Sequence, residues 1–166
     1  MRFVRFIGLL ALAVAALLPF GGPNAAAAEP GPPPHPDSTA SATRQGVVAD
    51  TVVCSISASQ PQLVYAGTYR IVGTGLLTSC APHAPSTCST HAEVFIYSKG
   101  DATWLPAAWG NTNYSCPPPA QGASASVGCT PSSTTYLYRT RVLTTIIYGS
   151  TDTKSAESAA LSAYCL

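Results

Sequence analysis

The stretch "YLYRTRVLTTIIYG", residues Tyr136 to Gly149, decides the fold class. It is rich in β-branched and aromatic residues, and it alternates in the two-residue period of a strand. One face carries Tyr136, Tyr138, Thr140, Val142, Thr144, Ile146 and Tyr148; the other carries Leu137, Arg139, Arg141, Leu143, Thr145 and Ile147. Turning the first set inward buries Val142, Ile146 and the tyrosine rings and leaves both guanidinium groups in water, where their hydration costs nothing. A slip of one residue would bury both arginines, so the register is strongly specified. Two residues apart, the arginines stand about 7 Å from each other on the outer face. They are either the wet side of the strand or a fork that grips a carboxylate or stacks on an aromatic ring.

The texture around this stretch is the same. From Val47 onward, short runs of Val, Ile, Thr and Tyr are broken by Gly, Pro, Ser and Asn clusters. Strands are expected near Asp50–Ala58, Leu63–Ala66, Tyr69–Thr78, His91–Ser98, Thr103–Trp109, Ala123–Cys129, Thr134–Tyr148 and Ala156–Cys165. The last segment, "SAESAALSAYCL", has alanines that would also suit a helix, but its alternation favours a strand. Seven to eight short strands predict an all-β protein, an immunoglobulin-like sandwich of two antiparallel sheets.

The chain opens with Arg2 and Arg5, an apolar run from Phe6 to Phe20 and a small-residue site at Ala26–Ala28, the pattern of a secretory signal peptide over residues 1–28. The apolar run is short for a membrane span and is followed by Gly21, Gly22 and Pro23. The localisation expected is secreted and extracellular, with no membrane association after cleavage. Residues 29–46, "EPGPPPHPDSTASATRQG", hold almost no large apolar side chain and are expected to be a flexible Pro/Ser/Thr-rich leader, either a spacer or a stiff ligand arm. Residues 47–166 then form one disulfide-stabilised domain.

Of eight basic residues, removal of Arg2 and Arg5 leaves six against seven acidic ones. No basic stripe remains, which argues against a nucleic-acid partner. All six cysteines, Cys54, Cys80, Cys88, Cys116, Cys129 and Cys165, follow the signal segment and predict three disulfides. The pairing expected closes the short loops Cys80–Cys88 and Cys116–Cys129 and ties the first strand to the last through Cys54–Cys165. A zinc site is disfavoured, because no C-x-x-C pair exists and only His83 and His91 lie near the cysteines.

Motifs for catalysis are missing. There is no G-x-S-x-G elbow, no P-loop and no dinucleotide glycine pattern. His91 and Glu93 share a strand face, but Glu93, Asp101, Asp152 and Glu157 show no spacing that couples two carboxylates. The chain therefore reads as a non-enzyme without cofactor. What it offers is a recognition surface: Trp104, Trp109 and Tyr114 in the nearly uncharged "DATWLPAAWGNTNYSCPPPAQG", with Arg139 and Arg141. One of the two tryptophans is expected in the core, since five residues apart they point to opposite strand faces unless the chain bends at Pro106.

Two resemblances bear on function. "TYLYRTRVLTTIIYG" and "SAALSAYCL" resemble the last two strands of small cysteine-bearing immunoglobulin-like proteins secreted by actinomycetes, some of them adaptors in umbrella-type toxin particles. That resemblance implies a partner that is another secreted or cell-surface protein, bound through an extended arm or an added strand. "LLTSCAPHAPSTC" and "SCPPPAQG" are similar to loops of the Streptomyces subtilisin inhibitors, which implies the alternative, a secreted serine-protease inhibitor. That family has four cysteines at other spacings, and Pro117 to Pro119 stand where a specificity residue belongs. A glycan-acting or wall-acting enzyme is the third reading.

Overall fold

The computed structural model describes residues 34–46 and 49–166. The segment expected to be a signal peptide, the first residues of the expected leader, and Val47 and Val48 lie outside the described residues. Nine strands follow one another: β1 (Asp37–Arg44), β2 (Asp50–Tyr65), β3 (Tyr69–Ala81), β4 (Thr87–Ser98), β5 (Thr103–Trp109), β6 (Gln121–Gly128), β7 (Pro131–Tyr148), β8 (Ser150–Glu157) and β9 (Leu161–Cys165). They form a four-stranded sheet, β1-β2-β3-β6, and a five-stranded sheet, β5-β4-β7-β8 with β9 also against β7. All pairings are antiparallel. The chain crosses between sheets after β3, β5 and β6, so that β6 lies beside β3 and β7 beside β4, connections of the Greek-key type.

The face of β7 expected inside is inside. Tyr138, Thr140, Val142, Thr144 and Ile146 are buried, opposite Val52, Ile56, Ile71 and Leu77 of the other sheet. The core is made largely of small residues, and the close approach of the sheets needs them. An added Cβ at Gly75 of β3 would lie 1.9 Å from Val142 Cγ2, so only glycine leaves room for Val142 there. Buried hydroxyls are paired where Thr90 and Thr144 meet at 3.1 Å, and the Tyr138 hydroxyl donates to the Cys165 carbonyl at 3.1 Å.

Four expectations need correction. The strands expected at Asp50–Ala58 and Leu63–Ala66 are one, β2. The leader is not all tail: residues 37–44 are strand β1, laddered to Ser57–Asp50 of β2, with Ala40 and Ala42 fully buried. Alternation of small residues suffices here because the opposing surface is close, and alanine fills what a larger side chain would overfill. Its free edge is closed by side chains of β8, since Ser41 N–H donates to Asp152 Oδ2 at 2.8 Å and Thr43 N–H to Ser150 Oγ at 2.9 Å. The expected strand Ala156–Cys165 is two, interrupted at Ser158, whose hydroxyl accepts the Thr140 N–H at 3.0 Å and so replaces a ladder bond.

The disulfides are Cys54–Cys80, Cys88–Cys116 and Cys129–Cys165. None of the three expected pairs forms, because ladder register outweighs shortness of loop. Cys54 and Cys80 are direct partners in the β2–β3 ladder. Cys116 returns to Cys88 because residues 110–113 run back along β4, with Gly110 N–H on the Ala92 carbonyl and Asn113 exchanging both bonds with Thr90. Cys129 meets Cys165 where Thr130 and Leu166 exchange backbone bonds. Among the described residues no helix is long and apolar enough to cross a membrane.

Candidate recognition face

The outer face of the five-stranded sheet gathers the sequence-predicted residues. On β4, His91, Glu93, Phe95 and Tyr97 point outward while Ala92 and Val94 are buried in the core. Cross-strand pairing sets Phe95 against Arg139, Glu93 against Arg141, and Arg141 in turn against Glu157 of β8. The result is two ion pairs: Arg139 Nη1 with Glu157 Oε2 at 2.9 Å, and Arg141 with Glu93 Oε2 at 2.7 Å through both Nε and Nη2.

Each guanidinium also lies on an aromatic ring. Arg139 sits 4.5 Å from the centroid of Trp104 and Arg141 4.5 Å from that of Phe95. Tyr97 braces Trp104 edge-on at 5.4 Å between centroids. Residues Phe95, Ala102, Thr103, Trp104, Arg139, Arg141 and Glu157 line a depression of about 280 Å³. The arginines are thus on the expected face but not in the expected medium. Arg139 is only 2% exposed, roofed by Trp104, and its charge is compensated by Glu157 instead of water. Arg141 is partly exposed.

Neither tryptophan is in the core. In β5, Trp104 faces Tyr97, Pro106 faces Phe95 and Trp109 faces Glu93, with a register shift that leaves Ala107 as the extra residue. This bulge, one residue past Pro106, turns both tryptophans to the outer side. Trp104 becomes part of the depression, whereas Trp109 stands 65% exposed at the sheet edge. Tyr114, 73% exposed, follows Asn113, whose amide nitrogen is fixed at 3.2 Å from both Gln121 Oε1 and the Gly122 carbonyl. Glu157, Phe95 and Tyr97 complete the face without having been singled out as binding residues. Phe95 and Tyr97 were visible as the continuation of the His91, Glu93 alternation.

A second polar cluster lies at the opposite end of β7. Asp50 Oδ2 accepts a bond of 2.6 Å from His83 and one of 2.9 Å from the Tyr148 hydroxyl, and the His83 and Tyr148 rings lie 4.9 Å apart. The bond from His83, then that from Tyr148, holds the Asp50 carboxyl below its ordinary value, and the same bond to Asp50 raises the His83 imidazole. The Tyr148 phenol is raised by its bond to Asp50 and by burial. His91 lies 3.3 Å from Glu93 Oε1, but Glu93 is already engaged by Arg141. Among the described residues no group of three or more His, Cys, Asp or Glu side chains is placed to hold a metal ion.

No family model, curated protein or solved structure matches this chain.

Proposed function

We propose that the chain is a secreted, non-catalytic recognition module that binds another extracellular protein through the outer face of its five-stranded sheet. Its role is that of an adaptor, as the resemblance to secreted actinomycete immunoglobulin-like proteins implies. The observation that carries this reading is the grading of aromatic exposure across one face: Trp104 clamped over Arg139 in the floor, Trp109 and Tyr114 at the rim with most of their surface bare. Rigid exposed aromatics beside a pre-ordered polar floor lose little entropy on binding, which is the composition of an interface hot spot. Both glutamates on this face are engaged by arginine, an arrangement that suits recognition better than acid–base chemistry. The inhibitor alternative needs an exposed, rigid loop, and after Cys116 the chain buries Pro117 and exposes Pro118 to Ala120.

The test uses the tagged chain as bait in culture supernatant, beside the Trp109→Ala/Tyr114→Ala variant. A partner that co-purifies with the first and is lost at least tenfold with the second supports the face. A partner retained equally by both overturns it. Stoichiometric inhibition of subtilisin or trypsin would replace the adaptor reading by the inhibitor one.

A further inference from the structure

The two sheets part on one side of the sandwich, and the gap has a register. β1 pairs with β2 so that Asp37 faces Ser57, and the chain just before it already stitches both sheets. Ala58 N–H donates to the Pro36 carbonyl at 2.8 Å, and Glu157 N–H donates to the His35 carbonyl at 2.7 Å. Further up, β2 continues to Tyr65 and the β8 line continues as β9, but among the described residues no strand lies between them. Gln60 bridges the gap, its Nε2 donating to the Ala160 carbonyl at 2.6 Å.

What fills this interval is a groove of about 410 Å³ with apolar walls, lined by Leu63, Tyr69, Pro131, Leu161 and Tyr164 and floored by the Cys129–Cys165 bridge. Leu63, Tyr69 and Tyr164 are exposed there, an unusual concentration of bare apolar surface. On β2, Gln62 and Leu63 lie five and six positions beyond Ser57, the partner of Asp37, as Pro32 and Gly31 lie five and six positions before Asp37 in the sequence. From Glu29 to Pro33, "EPGPP", four steps cover about 12 Å in a polyproline extension, against about 13 Å for the four steps of β2 from Pro61 to Tyr65. Proline has no N–H to leave unsatisfied in an apolar slot, and its ring packs on tyrosine faces.

We propose that this groove is a peptide seat whose occupant is the chain's own Glu29–Pro33 segment, which continues the line of β1 between β2 and β9. The seat is separate from the face carrying Trp109. The experiment compares amide and tyrosine-ring NMR shifts of the chain beginning at Glu29 with those of a chain lacking residues 29–33. Expected are differences at Leu63, Tyr69 and Leu161–Tyr164 and none at the Trp109 indole. Adding the peptide EPGPPP to the shortened chain reverses these shifts. The intact chain needs at least tenfold more peptide for any response, because its own segment acts at high effective concentration. Tyr164→Ala in the intact chain, at a site too exposed to unfold the domain, moves the amide signals of residues 29–33. Identical groove shifts in the two chains overturn the proposal. So do groove shifts that grow with protein concentration alongside a dimer in ultracentrifugation, which would assign the groove to a second copy.

Discussion

The outer faces of the two sheets follow the same two-residue alternation yet are made of different chemistry. On the four-stranded sheet the outward residues are mainly hydroxyl-bearing and small: Thr39, Ser41, Ser55, Ser59, Thr74 and Ser124, with Arg70 resting on the Ser126 hydroxyl at 2.7 Å. On the five-stranded sheet they are His91, Glu93, Phe95, Tyr97, Trp104, Arg139, Arg141 and Glu157, bound to one another by ion pairs and ring contacts. The first face could change almost any member without consequence for the rest. The second is a coupled network in which each charge depends on a neighbour for its solvation. Charge on a strand's outer face therefore does not imply hydration, because a large aromatic on the adjoining strand can supply the cover.

The inner faces carry the same contrast in reverse, and the largest predicted effect tests it. There the four-stranded sheet contributes Gly73 and Gly75 and the five-stranded sheet the branched side chains that enter the space they leave. Gly75→Ala would set a methyl 1.9 Å from Val142 Cγ2 and 2.7 Å from the Ser57 carbonyl, which cannot move without breaking the ladder. A loss of about 3 kcal/mol in urea unfolding is expected. Combining it with Val142→Ala should cost clearly less than the two losses added, since the second change opens the space that the first fills. Strict additivity would mean that the sheets do not meet at this point.

The next effect separates the outer faces. Arg139→Ala strips a nearly buried charge from Glu157 and the stacking from Trp104, and should cost about 2–3 kcal/mol. That is below the range for fully buried pairs, because the Glu157 side chain retains some water. Arg70→Ala on the other sheet should stay within about 0.5 kcal/mol. Arg139→Met sharpens the comparison: recovery of most of the loss would show that packing under Trp104, and not the ion pair, dominates. Equal losses for the two alanine variants would erase the distinction between the faces.

Much of this was legible in the sequence, for a physical reason. Alternation in Tyr136–Tyr148 is local, and it correctly separates the inward tyrosines, Val142 and Ile146 from the outward arginines. Burial of Arg139 was not legible, since it depends on which strand lies alongside, and the bulge at Ala107 was visible only as a possible bend at Pro106. The disulfides illustrate the same limit: spacing along the chain favours short loops, but partners are set by ladders between strands distant in sequence. β1 escaped detection because its apolar face is only Ala40 and Ala42, a weak pattern that becomes decisive once a close partner surface exists. The Asp50, His83 and Tyr148 cluster assembles three separate segments, and no local signal precedes it.

That cluster gives the smallest predicted effect and joins the two sheets, with Asp50 on β2, Tyr148 on β7 and His83 on the connection between β3 and β4. His83 is raised in the folded chain, so its contribution is complete below the unfolded value of about 6.5 and disappears as pH rises through the higher folded value. Asp50 is lowered, so its contribution is present above about 3.8 and disappears as pH falls through the lower folded value. The two windows overlap between about pH 4 and 6.5, and the cluster should tie the sheets most firmly there. Melting temperatures at pH 5.5 and 8.5 give the measurement, with His83→Gln as the reference, because the variant removes the titration while other groups continue to respond. The native chain should lose more on going to pH 8.5 than the variant does. Both side chains are well exposed, so the difference should be a few degrees at most and should shrink in high salt. Parallel pH profiles would mean that the bond between His83 and Asp50 contributes nothing to holding the sheets together, and that the contrast between the faces is maintained by the core alone.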